Sequence, residues 1–560
     1  MERNIYGSLL KWKQIPDGKR KPLILNGARQ VGKTWLLEEF GRKEFEYVAE
    51  INFEKQPQMA SIFADDFDAG RIFRAIQLAT GVKLIPGKTL IIFDEIQDVH
   101  RGLLSLKYLF NDAPEYHIVA AGSLLGITLN QDSFPVGKVD FLNVYPLSFE
   151  EFLIAMGQIN MVEALKNKEW ELVGAFKSKY IDYLRQYYFV GGMPEVVEAY
   201  SKNQDFEEVR RIQKNLLLSY ERDFSKHPPM EIVTKIKQVW EHIPAQLAKE
   251  NRKFIYNVIK KGSRAKEFEG AIEWLSNAGA VYKITRISKP SMPVSGFEDM
   301  ESFKLYVVDI GLLGAMAGLD AKTLINGNEI FEQYKGALTE QYVLQQLKCV
   351  EDMQIHYWTP DTGTAEIDFV VQSNGEVIPI EVKAEENLKS KSLKSYKEKY
   401  TPKISVRTSM ADYKEQEGLK NIPLYAILYF EQVLFPKVNS YISNCRHNEK
   451  FFNTLMENNI IVVYEYGQEF RSEQYDNLKN QQVCRILEFI SDSPRSSKEI
   501  LEKCLEVLNN KNNREKYIKP LLDKRLIISV VKGLRAESKQ KYICTNKGRC
   551  YISYLSSCEL

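Results

Sequence analysis

Cysteine is scarce in this sequence, and scattered. The seven residues Cys349, Cys445, Cys484, Cys504, Cys544, Cys550 and Cys558 include no CxxC pair. That spacing argues against a zinc site and against a disulfide framework, and reduced thiols in a cytoplasmic chain are the plain expectation. Long apolar runs are missing too. None approaches the roughly eighteen residues a membrane span requires, and the opening "MERNIYGSLLKWKQ" is mixed and charged, unlike a secretory leader. Nor is there an excess of either charge: 76 Lys and Arg face 74 Asp and Glu, for a net +2. Any contact with nucleic acid must then come from local basic patches. What remains is ordinary globular composition, 44% hydrophobic and 27% charged over 560 residues. That length suits roughly three or four domains.

The informative stretch is "LILNGARQVGKTWLLEEF", residues 23–40. An apolar strand runs into G-x-x-x-x-G-K-[ST], filled by Gly27, Gly32, Lys33 and Thr34, and a helix follows, with its end expected near Gly41. Glycines let backbone amides close around phosphate oxygens, and the helix N-terminus adds partial positive charge. Lys33 is expected on the β and γ phosphates and Thr34 on magnesium, with Gln30, Val31 and Trp35 completing the nucleotide contacts. Downstream, "GKTLIIFDEIQ" is a strand ending in Asp94 and Glu95. Asp94 is expected in the magnesium shell and Glu95 on the attacking water. A further strand, "YHIVAAG", leads to Ser123, the candidate sensor beside the γ-phosphate. ATP and Mg2+ are the cofactors implied.

Residues 1–204 alternate strand and helix patterns, which predicts a doubly wound parallel sheet. Within them, Ser148 and Glu151 form a capping box ahead of a helix. The set "KPLILNGARQVGKTWLLEEF", "LIIFDEIQ", "AAGSLLG", "VYPLSFEEFL" and "YFVGGMPEVV" resembles the bacterial and archaeal AAA+-type ATPases of unknown substrate, over roughly residues 1–435. The resemblance implies ATP hydrolysis and a second, restriction-nuclease-like domain. One feature departs from it: between Ser123 and Pro146 the only basic candidate for an arginine-finger role is Lys138.

Residues 205–330 read as helical, and "AIEWLSNAGAVYKITRISKP" has the shape of a winged-helix end, equally suited to an ATPase lid. Residues 331–435 carry a second chemistry. Glu340 lies on a predicted helix, Asp368 on the strand "TAEIDFVV", and Glu381 and Lys383 on "EVIPIEVKA". Residues i and i+2 of a strand share a face, and a hairpin brings Asp368 alongside. This is the D…E-x-K pattern of PD-(D/E)XK nucleases. In it, Asp368, Glu381 and Glu340 hold a metal and Lys383 orients water. The plain alternative is a solvated edge hairpin, against which the flanks "IDFVV" and "VIPIEV" ask for burial on both faces.

Residues 436–475 read as a connector with a short strand at "IIVVYEY". Residues 476–560 read as a winged helix-turn-helix: a helix to Pro494, a second capped by Ser496 with Glu499, a third, then a basic wing. Its candidate DNA contacts are Arg514, Lys516, Tyr517 and Lys519 on the helix, and Lys532, Arg535, Lys539 and Lys541 on the wing. A protein-docking winged helix is the alternative. The fold class expected is therefore multidomain α/β: a P-loop domain, a helical or winged-helix middle, a restriction-nuclease-like domain and a winged-helix tail. The function expected is a cytoplasmic ATPase governing a nuclease-like domain on DNA, in defence or genome maintenance. Its rivals are a non-catalytic ATP-dependent binding switch with a degenerate nuclease fold, and a signalling ATPase bound to a protein. A homo-oligomer is left open, and no membrane contact is expected.

Overall fold

The computed structural model describes residues 2–122, 137–226, 228–249, 252–259, 261–262, 264–321, 332–351, 353–361, 364–386, 391–416, 418–435, 481–490, 495–524, 526–529 and 541–544. They fall into two compact units, Met1–Phe435 and Pro436–Leu560. The expected sensor Ser123, the connector 436–475 and the wing residues Lys532, Arg535 and Lys539 lie outside the described residues.

Five strands, β1 (Leu23–Asn26), β2 (Tyr47–Asn52), β3 (Thr89–Asp94), β4 (His117–Ala121) and β5 (Asp140–Asn143), form a sheet of order β2-β3-β4-β1-β5. Every pairing in it is parallel. The apolar runs explain this. Ile24, Ile91, Phe93, Ile118 and Ala120 enter one core, while Leu23, Leu25, Leu90, Ile92, Val119 and Ala121 enter the other. Successive side chains alternate and both faces are buried, as an all-parallel sheet requires. The helix after the loop runs Lys33–Glu44, past its expected end. Gly41 is not its terminator. A Cβ there would lie 2.7 Å from Val48 Cγ2, so glycine lets the helix pack closely on β2. The Ser148 capping box starts helix Phe149–Ala155, with Glu151 N donating to Ser148 Oγ and Ser148 N to Glu151 Oε2.

Helices Phe206–Lys226, Met230–Leu247 and Ala265–Asn277 lead to the antiparallel ribbon β6 (Val281–Ile287) and β7 (Glu298–Val307). This ribbon is not a free-standing wing. Its β6 edge pairs in parallel with β8 (Gln354–Trp358), which satisfies backbone groups an edge strand would expose. The ribbon thereby joins β9 (Ile367–Ser373), β10 (Glu376–Val382), β11 (Ser405–Ser409), β12 (Lys414–Gln416) and β13 (Leu419–Pro423). Together they make one mixed eight-stranded sheet, β12-β13-β11-β10-β9-β8-β6-β7. One sheet thus spans the expected division at residue 330.

The hairpin β9–β10 forms as expected, with Phe369 opposite Ile380 and the turn at Asn374 (φ 49°) and Gly375 (φ 75°). Phe369, Val371, Ile378 and Ile380 share a core with helix Glu332–Lys348. Ile367 and Val370 pack with Leu393 and Tyr396 of helix Lys391–Tyr400. That helix is the crossover to β11, which runs parallel to β10.

The second unit has its own core, with Ile486, Leu487, Ile500, Leu521 and Tyr542 buried. Helical segments Gln481–Phe489, Glu499–Cys504 and 511–523 accompany a three-stranded antiparallel sheet of β14 (Arg495–Ser496), β15 (Ile527–Ser529) and β16 (Lys541–Cys544). Ser496 and Glu499 exchange hydrogen bonds at the start of the second helix. No helix among the described residues is long and apolar enough to cross a membrane.

Candidate nucleotide site and the carboxylates of the second sheet

The parallel order sets the C-terminal ends of β1, β3 and β4 side by side, the edge where such sheets bind ligands. The loop leaves β1 through Gly27, where a Cβ would lie 2.2 Å from Val144 O. No other residue fits that approach. Gln30 and Gly32 have φ of 64° and 89°, and the helix starts immediately after, at Lys33. Lys33 is buried and folds back on its own loop, donating to Gly27 O (3.0 Å) and Ala28 O (2.8 Å). Burial pushes its ammonium down to about 8, while Glu95 and Asp94 pull it up. Those two carbonyls hold an ammonium that bound phosphates would draw out.

Thr34 Oγ1 donates to both Asp94 oxygens, at 3.1 and 3.3 Å, and Asn52 Nδ2 donates to Oδ2 at 2.9 Å. Burial and the charge of Glu95 raise Asp94. A hydroxyl and a buried carboxylate in contact at a phosphate loop are the hard oxygen donors magnesium takes, with water and phosphate filling the rest. These residues fit the ion. Glu95 sits in the left-handed region at φ 50° and accepts from Gln97 Nε2 at 2.7 Å. Val31 is buried and Trp35 is 41% exposed. Lys138 donates to Asn111 Oδ1 and lies over the Phe110 ring, both of helix His100–Asp112.

Two residues of this site had no sequence signal. Asn52 ends a strand whose polar tail looks like any other. Arg3 precedes the first helix and is buried. Its Nη1 donates to Val31 O at 3.0 Å and its Nη2 to Tyr145 O at 2.6 Å, and its Nε pairs with Glu151.

Residues 19–153 match the family model of the AAA domain. The chain carries an AAA-type P-loop ATPase domain. Residues 181–323 and 335–427 match two domains of unknown function, DUF8612 and DUF4143. Among solved structures, the Walker-type ATPase PABY2304 of Pyrococcus abyssi is similar at 15% identity and TM-score 0.35, over 56% of this chain and 95% of that one. The Aeropyrum pernix ORC1 protein in complex with DNA is similar at 14% identity and TM-score 0.23, over 56% and 91%. Cdc6p from Pyrobaculum aerophilum is similar at 12% identity and TM-score 0.20, over 57% and 91%. Nothing among curated proteins matches.

Away from the ATPase domain, the second sheet surrounds the carboxylates expected to ligate a metal with protein partners. Among the described residues no three carboxylate, histidine or cysteine side chains are placed to hold an ion. The reason is cationic. Glu340 pairs with Arg252, lies 3.7 Å from Lys304 Nζ, and accepts from Tyr306 OH at 3.1 Å. Lys304 is fully buried, and its second carboxylate is Glu366, at 2.5 Å. Asp368 Oδ2 accepts from Val382 N at 2.7 Å. Glu381 is buried and pairs with Lys383 at 2.7 Å. Each carboxylate expected to ligate the metal is instead held by an ammonium, a guanidinium or a backbone amide.

In the second unit, Lys516 and Lys519 are exposed on the 511–523 segment, with Lys516 over the Tyr517 ring at 5.0 Å. Arg514 Nε donates to Asn509 Oδ1 at 3.0 Å. Lys541 begins β16.

Proposed function

We propose that the protein is an ATP-hydrolysing switch. In this reading Gly27, Gln30, Val31, Gly32, Lys33, Thr34 and Trp35 hold the nucleotide, Thr34 and Asp94 the magnesium, and Glu95 the attacking water. The observation that carries it is the contact of Thr34 with Asp94 beside a lysine held on its own loop. A division into an ATPase domain (1–204), a helical middle (205–330), a nuclease-like domain (331–435) and a DNA-binding tail (476–560) belongs to the same proposal.

In this reading the nuclease-like sheet acts as a structural partner rather than a cutting centre, because Glu340 and Glu381 are paired with cations and Asp368 with a backbone amide. A buried polar path supports its coupling to the nucleotide site. Asp309 accepts from Gly192 N (2.6 Å), Leu312 N (3.1 Å) and Gln345 Nε2 (3.0 Å). On helix Glu332–Lys348, Gln345 accepts from Ile310 N and Gln346 from Phe149 N. Gly192 leads into Pro194, whose Cγ stands 3.4 Å from where a Cβ on Gly32 would be. The helix that carries Glu340 is thus hydrogen-bonded to the module that carries the loop.

The test is nucleotide binding and phosphate release by the full chain with magnesium, beside plasmid nicking with manganese. ATP-specific release without nicking is expected. Failure to bind ATP would end the ATPase reading, and nicking that needs Asp368 would restore the nuclease.

A further inference from the structure

Arg29 lies inside the phosphate loop, two residues after Gly27. Its guanidinium pairs with Asp223 of helix Phe206–Lys226, and its carbonyl accepts from Tyr220 OH at 2.8 Å. Residues 220 and 223 share one face of that helix. Tyr220 is buried and stacks on Trp240, so the clamp on the loop is rooted in the helical middle. Asp223 is only 10% exposed at its side chain and Arg29 33%. Burial lowers Arg29's affinity for its proton, yet the hydrogen bond and charge of Asp223 leave it raised, with Glu95 and Glu54 adding to this. Burial lowers the Lys33 ammonium, Glu95 raises it, and Arg29 lowers it a little further. Arg29 and Lys33 belong to one loop, between β1 and helix Lys33–Glu44, and Glu95 directly follows the end of β3 on the same edge of the sheet, where a bound nucleotide would place its phosphates.

We propose that Arg29 leaves Asp223 for the γ-phosphate of bound ATP, serving in cis as the arginine that Lys138 does not supply. The inference rests on the ATPase reading above. In hydrolysis, water oxygen bonds to the γ phosphorus as the bond to the β,γ-bridging oxygen breaks. The electron pair departs on ADP, and the proton of the water passes through Glu95 to solvent. Arg29 neutralises charge gathering on the γ oxygens, a role that elsewhere is supplied in cis or by a partner. ADP has no γ-phosphate, so Arg29 returns to Asp223 after release. The exchange also transmits the nucleotide state. Without Arg29, Asp223 is a buried carboxylate with its cation gone, an unfavourable arrangement that drives helix Phe206–Lys226 to shift.

The experiment compares Arg29→Ala, Arg29→Lys and Asp223→Asn in the full chain, with fluorescent ATP and ADP analogues and phosphate release. Arg29→Ala is expected to keep ADP affinity, to lose at least tenfold of its preference for ATP, and to slow turnover about a thousandfold. Arg29→Lys restores part of the preference and little of the turnover. Asp223→Asn is expected to tighten ATP and leave ADP unchanged, since the competing carboxylate is gone. A merely structural clamp would make Arg29→Ala and Asp223→Asn weaken both nucleotides together, which would overturn the proposal. Wild-type turnover matched within twofold by Arg29→Ala would overturn it as well. A wild-type chain that binds neither nucleotide would instead end the ATPase reading on which it rests. Should Arg29→Ala fail to fold, Asp223→Asn alone decides by whether ATP tightens or loosens.

Discussion

Arg3 Nε stands 3.0 Å from Glu151 Oε1, with both side chains 5% exposed. The pair joins the start of the chain to the helix after β5, and the same guanidinium holds the loop carbonyl of Val31. Arg3→Ala would leave Glu151, Val31 O and Tyr145 O short of a donor in a buried place. Breaking a buried pair on one side costs about 3–5 kcal/mol. Urea unfolding of the first unit should therefore show a loss of that size, with ATP affinity falling too because Val31 belongs to the loop. An unchanged midpoint would mean the Arg3 contacts are dispensable.

The proposed phosphate site predicts that binding and turnover can be separated. Lys33→Ala removes the cation expected to meet the β and γ phosphates, so nucleotide binding should vanish. Glu95→Gln keeps the size of the side chain and removes only the charge that polarises water, so ATP should bind normally and turn over at least a hundredfold more slowly. Equilibrium binding beside phosphate release distinguishes the two. Normal hydrolysis by Glu95→Gln would remove that residue from its assigned role.

Some of this was legible in the sequence, for physical reasons. Strand β3 is a continuous apolar run because both its faces are buried, and Asp94 stands out as the charge that ends it. The β9–β10 hairpin was legible because "SNGE" supplies residues that tolerate positive φ. The partners of the carboxylates on the second sheet were not legible, because strand alternation gives faces but not partners. Nothing in "ESFKLYVV" signals that Lys304 will be buried between Glu340 and Glu366 from distant segments. Arg29 shows the same limit: its position in the loop was plain, whereas Asp223 is 194 residues away.

The tail carries a prediction about salt. Lys516 and Lys519 are exposed in the unit that holds the three-stranded sheet, and the DNA contacts proposed for the tail rest on them. Removing residues 476–560 should weaken DNA binding and flatten its dependence on salt, since each lost phosphate contact lowers the slope by about one unit. ATP hydrolysis without DNA should persist, because the first unit has its own cores. Equal affinity at two salt concentrations, with and without the tail, would make this segment a protein-docking module.

The ion pairs of the second sheet give the last test. Lys304 is fully buried and its ammonium is shared between Glu366 at 2.5 Å and Glu340 at 3.7 Å. Burial raises the Glu366 carboxyl, and Lys304 opposes that rise. Lys304→Met keeps the length of the side chain and deletes the charge, leaving Glu366 without its cation, at a cost of about 3–5 kcal/mol in urea unfolding. Adding Glu366→Gln should recover much of that loss, because a neutral amide no longer needs the ammonium. The same arrangement forecasts metal behaviour. In a chain carrying Asp94→Asn, which removes the carboxylate at the phosphate site, manganese titrated against the protein should show no bound signal by electron paramagnetic resonance and no nicking of plasmid. Lys304 and Arg252 already neutralise Glu340, and an added dication would have to displace both. Manganese bound in that variant, and lost again on Glu340→Gln, would show that the cations give way and that the nuclease site is real.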